Sequence, residues 1–243
     1  DNSKLTLKYP VADARLMATT LRERAAGLFE GVHVVELTTR AQTTKNAITR
    51  TLKEMSGKVR PDDLFVFYVA SHGIVGEDEY FLITSNVGAT STHILKRTAL
   101  SQDDLKALIA NVPATKKLVL IDTCDAGKLG EAISAAPLTR GMNVDTAMRI
   151  LARAVGSTTL SASTSLQEAF EGYRGHGFFT WVLTEGLKGE GSADGDNDGY
   201  VKTHELVWYV EDRMPRLSKQ VFKRQRYPTT TLSGQRFPVV RVK

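Results

Sequence analysis

Two residues in this chain stand where acyl-transfer chemistry could be done. Cys124, the single cysteine, follows the apolar run Leu118–Ile121 and sits in Asp122-Thr123-Cys124-Asp125-Ala126-Gly127. His72 follows the apolar run Leu64–Ala70 and sits in Ser71-His72-Gly73. The thiolate, not the thiol, is the nucleophile, and a free cysteine is mostly protonated at neutral pH. An imidazole titrates in the range needed to take that proton and return it to a leaving amine. Gly73 lacks a Cβ and lets a carbonyl approach the backbone. Its N–H and that of Cys124 can form an oxyanion hole. Either residue alone reads more simply as a small core thiol or a loop imidazole. Their joint placement at the ends of two apolar runs favours a catalytic pair.

The elements that must position this pair are legible. Helices are expected over Ala12–Ala25, after a cap at Thr43 or Thr44, over Asp103–Asn111 behind a Ser101/Asp104 capping box, and over Thr146–Val155, Phe178–Leu187 and Thr203–Met214. Strands are expected at Val32–Leu37, Leu64–Ala70, Tyr80–Thr84, Leu118–Ile121, Thr158–Ser163 and Phe237–Val242. Leu64–Ala70 and Leu118–Ile121 are apolar throughout and read as buried on both faces. Ser134–Asp145, with Pro137, Gly141 and Asn143, reads as a loop. Strands alternating with helices imply an α/β fold, a mostly parallel central sheet flanked by helices on both faces. Ligands on such sheets bind beyond the carboxyl ends of the strands. His72 and Cys124 fall there if their strands are parallel.

A second constellation is Asp194-Gly195-Asp196-Asn197-Asp198-Gly199, with Glu205 at the twelfth position. It fits a calcium loop with ligands Asp194, Asp196, Asp198 and Glu205. It equally fits an acidic turn between two helices, with Glu205 in the first turn of the second. Any calcium would be structural. The net charge of +5 is concentrated in Arg213–Arg226. No nucleic-acid motif accompanies it, and a solvated helix face and loop is the simpler reading. His176 is a rival base, better placed to serve its Gly-rich turn.

The ordered set of motifs resembles the caspase–metacaspase superfamily. A strand ending in His72-Gly73 is followed about 50 residues later by one ending in Asp122-x-Cys124-x-x-Gly127. Thr159-Leu160-Ser161-Ala162-Ser163 and Gly175-His176-Gly177-Phe178-Phe179-Thr180 resemble the small-subunit half of bacterial caspase-like peptidases. Val11-Ala12-Asp13-Ala14 resembles a segment near their start. Caspases proper carry Gln-Ala-Cys-Arg-Gly, so Asp122-Thr123-Cys124 places the likeness with metacaspases and bacterial relatives. Ser71 stands where glycine is usual.

The resemblance implies a single caspase-like sandwich over 1–243. About 1–133 would be a large-subunit-like half, 134–145 a linker and 146–243 a small-subunit-like half. It implies a cysteine endopeptidase with Cys124 and His72 as dyad, needing no cofactor for its chemistry. Asp122, with Asp13 as a second acid, would line the pocket for the residue before the scissile bond and select Arg or Lys in protein or peptide substrates. Self-processing after Arg140, in the linker, would follow. The resemblance also implies a sheet strand before Asp13. Asp1–Pro10 offers none, as a processed or excised chain would. An inert interaction module on the same fold, or a CHAT-type relative, fits the same residues. A lone cysteine gives no sign of an oxidising compartment, and Leu64–Ala70 is far too short to span a membrane. A cytoplasmic location without membrane or nucleic-acid partners is therefore expected.

Overall fold

The computed structural model describes residues 7–76, 79–125, 146, 149–150, 157–162 and 171–242, with Cys124, Asp125 and Glu171 described by their backbone alone. The linker expected at 134–145, with Arg140, and most of the helix expected over Thr146–Val155 lie outside them. In chain order the elements are α1 (Pro10–Ala25), α2 (Lys45–Ser56), β1 (Leu64–Gly76), β2 (Glu79–Leu82), α3 (Thr92–Thr98), β3 (Leu100–Ser101), α4 (Gln102–Ala110), β4 (Lys116–Asp125) and β5 (Thr158–Ser161). Then follow β6 (Glu171–Tyr173), β7 (His176–Gly177), α5 (Phe178–Leu187), β8 (Tyr200–Lys202), α6 (Thr203–Phe222), β9 (Thr229–Thr231) and β10 (Pro238–Arg241).

The central sheet has the order β3-β2-β1-β4-β5-β9. Its heart, β1, β4 and β5, is parallel; β2, β3 and β9 join antiparallel toward the edges. β4 is covered on both sides, as its unbroken apolar run requires. Leu118 and Leu120 pack into the core beneath α1, α5 and α6, while Val119 and Ile121 pack into the core beneath α2 and α4. All four are at most 1% exposed, so each contributes about 1.5–3 kcal/mol of burial. Local signals hold where expected. Thr44 accepts from the Ala47 N–H to start α2, and Ser101 and Asp104 close a reciprocal capping box on α4.

Three expectations are corrected. β1 does not end at Ala70; it continues through Ser71-His72-Gly73 to Gly76. β4 likewise carries Asp122 to Asp125 inside the strand. Polarity suggested the ends, but ladder pairing continues past them. α6 does not stop at Met214. It passes Pro215 and keeps Leu217 buried, because the apolar face continues beyond the proline. Its basic residues are partly neutralised: Arg216 pairs with Asp212 on the same helix at 2.6 Å and Arg213 with Glu185 of α5 at 3.5 Å.

The third correction is Val32–Leu37, which has strand composition but pairs with no strand among the described residues. A groove of about 2060 Å³ separates residues 31–38 from β1, lined by Met17, Leu21, Val34, Leu52, Met55 and Val66 among others. β2 covers the outer edge of β1 only over Gly73–Gly76. The Leu64–Ser71 half is therefore paired on one side, and it is not buried on both faces throughout: only Phe65 in it is fully buried.

Candidate functional site

The site is set by the register of β1 on β4. The two strands run parallel with Ala70 opposite Asp122, Ser71 opposite Thr123, and His72 opposite Cys124. Neighbouring strands lie about 4.8 Å apart, so the histidine and cysteine backbones are adjacent, at the carboxyl end of the parallel core. The sequence placed the pair at two strand ends; the structure brings the two residues together across one ladder.

His72 is 5% exposed. Its carbonyl accepts the Ile83 N–H at 2.9 Å, which fixes the backbone. Neither ring nitrogen has a hydrogen-bond partner among the described residues. Burial disfavours the imidazolium and lowers the His72 pKa from 6.5 to about 4. The ring is therefore neutral at pH 7, the form a general base requires. Gly73 is needed for a reason the sequence did not show. A Cβ there would meet the Tyr80 ring at 2.6 Å and its hydroxyl oxygen at 2.7 Å, so the glycine makes room for a core tyrosine.

The depressed pKa carries a stability consequence. The folded state holds His72 neutral while the unfolded chain protonates near 6.5, so stability is fully present above pH 6.5 and falls as pH drops toward 4. We expect urea unfolding at pH 7 and pH 4.5 to show a larger acid loss for the natural chain than for His72→Gln, by about 2 kcal/mol. Equal losses would refute a buried neutral imidazole.

Two residues before Cys124, Asp122 enters a second cluster with Asp13 from the first turn of α1. Asp13 is buried; its Oδ1 accepts the Gly177 N–H at 2.9 Å and lies 3.2 Å from His176 Nδ1. Asp122 Oδ2 accepts the Thr180 hydroxyl at 2.6 Å and the Thr180 N–H at 3.3 Å. A Cβ on Gly177 would lie 2.9 Å from the Oδ2 atoms of both acids. Two carboxylates thus face one small volume at the N-terminus of α5, whose free N–H groups and dipole offset their repulsion. His176, the rival base, lies beside this cluster and not on the β1–β4 ladder; burial and then Lys188 lower its pKa. Thr180, Gly177 and Tyr68, whose hydroxyl lies 2.6 Å from that of Thr180, were not singled out from sequence. Only the block Gly175–Thr180 marked the region.

The acidic loop brings its carboxylates together and sets a lysine against two of them. Asp194, Asp196 and Asp198 place carboxylate oxygens within 4.8 Å of one another. The Lys202 ammonium sits among them, 2.7 Å from Asp196 and 2.5 Å from Asp198, and these hydrogen bonds raise its pKa. Glu205 accepts the backbone N–H groups of Gly195, Asp196 and Lys202, and so serves the turn and the start of α6.

Among the described residues no helix is long and apolar enough to cross a membrane. The sequence profile of the caspase domain matches residues 1–236. The fold is similar to a crystal structure of a protein from Geobacter sulfurreducens, with TM-score 0.59 and 19% identity over 95% of this chain and 86% of that one. It is also similar to caspase-1 from Spodoptera frugiperda, with TM-score 0.57 and 14% identity over 96% and 82% of the two chains. No curated protein matches the sequence.

Proposed function

The chain belongs to the caspase-domain family of cysteine peptidases, and on that premise we propose that it is an endopeptidase cleaving after Arg or Lys through a Cys124–His72 dyad. The observation that carries this reading is the β1–β4 register, which sets His72 opposite Cys124 and puts Asp122 one pleat earlier on the same strand.

The chemistry runs as follows. His72, neutral at pH 7, takes the Cys124 proton. The thiolate adds to the scissile carbonyl, and the backbone N–H groups of Gly73 and Cys124 stabilise the oxyanion. The His72 imidazolium then protonates the departing amine, leaving an acyl-enzyme. Water, deprotonated by His72, adds to the thioester, and collapse releases the acid and regenerates the thiol. Asp122 and Asp13 face one small volume that a guanidinium or ammonium would neutralise, while an acidic guest would be repelled. Arg140 in the 134–145 linker is the chain's own candidate substrate. The test is a peptide-library cleavage profile of the natural chain beside Cys124→Ala. Cleavage after Arg and Lys that vanishes in the variant supports the reading. Cleavage after Asp, or equal cleavage by both proteins, refutes it.

Calcium enters this reading only as a structural ion in the Asp194–Glu205 loop. Coordination by Asp196 and Asp198 would require Lys202 to leave, and Glu205 would have to exchange backbone N–H groups for metal. Lys202→Met should therefore gain more melting temperature from millimolar calcium than the natural chain does. No calcium response in either protein would leave an acidic turn closed by its own lysine.

A further inference from the structure

The Asp122 carboxylate does not stand alone. Thr180 Oγ1 lies 2.6 Å from Asp122 Oδ2 and 2.6 Å from the Tyr68 hydroxyl. The order of protons along this chain follows from what each group can do. An ionised carboxylate only accepts, so the single Thr180 hydroxyl proton goes to Asp122. The Thr180 oxygen then accepts from Tyr68. The Tyr68 phenol remains a donor throughout, because burial and the nearby charges of Asp122 and Asp13 raise its pKa well above the usual value. Thr180 itself is fully buried, so no water replaces either bond.

We propose that Thr180 and Tyr68 are positioning residues for substrate selection: the Tyr68–Thr180–Asp122 chain holds the Asp122 carboxylate ionised and aimed at the basic side chain of the substrate. The proposal rests on the peptidase reading above and adds two specificity determinants from distant parts of the sequence, one on β1 and one at the start of α5. The competing role is local. Asp122 caps the N-terminus of α5 through the Thr180 N–H, and the hydroxyl contact would then serve only the helix. The two roles differ in what they move. A cap sets stability, whereas a charge-orienting chain sets KM for basic substrates and the pH at which that affinity disappears.

The experiment compares Thr180→Val, Thr180→Ser and Tyr68→Phe with the natural chain on matched Arg and neutral peptides from pH 5 to 8. Valine keeps the branched shape and the backbone N–H but removes the hydroxyl. It should raise KM for the Arg peptide by about 10- to 100-fold with kcat little changed, as for loss of a hydrogen bond to a charged group. The acid limb of kcat/KM should move to higher pH, because a carboxylate with fewer donors protonates more easily. Serine should restore both quantities. Tyr68→Phe, which removes a single oxygen, should give a smaller change of the same kind and decides the matter if Thr180→Val does not fold. Alkylation of Cys124 by neutral iodoacetamide should be unaltered. A KM for the Arg peptide within twofold of the natural value in folded Thr180→Val and Tyr68→Phe would overturn the proposal, leaving a cap. If the natural chain cleaves neither basic nor neutral peptides, the peptidase reading fails and this role falls with it.

Discussion

Cys124→Ala is expected to abolish peptide cleavage while leaving the protein folded, with activity down by a factor on the order of 10⁴ or more. No other side chain in the chain is a thiol, so no second nucleophile of the same kind can take over. His72→Gln should lose activity by a similar factor, because a dyad acts as a unit and the thiol needs its base. Glutamine is the better probe than alanine. His72 is buried, and alanine would leave a cavity whose cost would blur the comparison. Mass spectrometry of the same preparations reads the linker: the natural chain should be cut after Arg140 and Cys124→Ala should remain intact. Residual turnover above about 1% in Cys124→Ala would overturn the dyad.

The second large effect concerns charge. Asp122→Asn keeps the shape of the side chain and removes its charge. It should lower kcat/KM for Arg peptides by about 10²- to 10³-fold, mostly through KM, since a buried cation left without its partner costs several kcal/mol. Gly177→Ala tests the same pocket from the other side. Its φ of −61° and ψ of 140° admit alanine without strain, but the methyl carbon would stand 2.9 Å from both Asp122 Oδ2 and Asp13 Oδ2. One or both acids must move, and Arg peptides should be cut at least tenfold more slowly. Asp122→Asn enzyme that still cleaves Arg peptides within threefold of the natural rate would sink the pocket assignment.

The fold was readable where periodicity and capping agreed with the final packing. α2 and α4 begin at residues whose side chains cap them, and β4 is apolar because both its faces are covered. Reading failed where polarity and pairing disagree. Ser71-His72-Gly73 and Asp122–Asp125 look like loop, yet they are strand, because each supplies the other's ladder partner. Val32–Leu37 looks like strand and is unpaired, because composition reports the preference of a segment and not the distance to its neighbour. Within the candidate site, Cys124 and His72 were singled out by their positions after apolar runs, and Asp122 and Asp13 only through resemblance. Tyr68 carried no signal, and Thr180 only that of the block it ends. Each is an ordinary residue in an ordinary element, and their relation to Asp122 exists only after β1, β4 and α5 have packed.

The uneven edge of β1 has its own consequence. Among the described residues the strand is held on both sides only over Ser71–Gly73, by β4 and by the run Leu82–Ile83, while Leu64–Ala70 is held by β4 alone beside the groove and Ile74–Gly76 by β2 alone. Local unfolding starts where few hydrogen bonds and contacts must break together. Fraying of this strand therefore enters from its singly held ends and has to travel inward before it reaches the histidine. Rigidity along a single strand is graded, and the stretch that carries His72 is the one that lets go last.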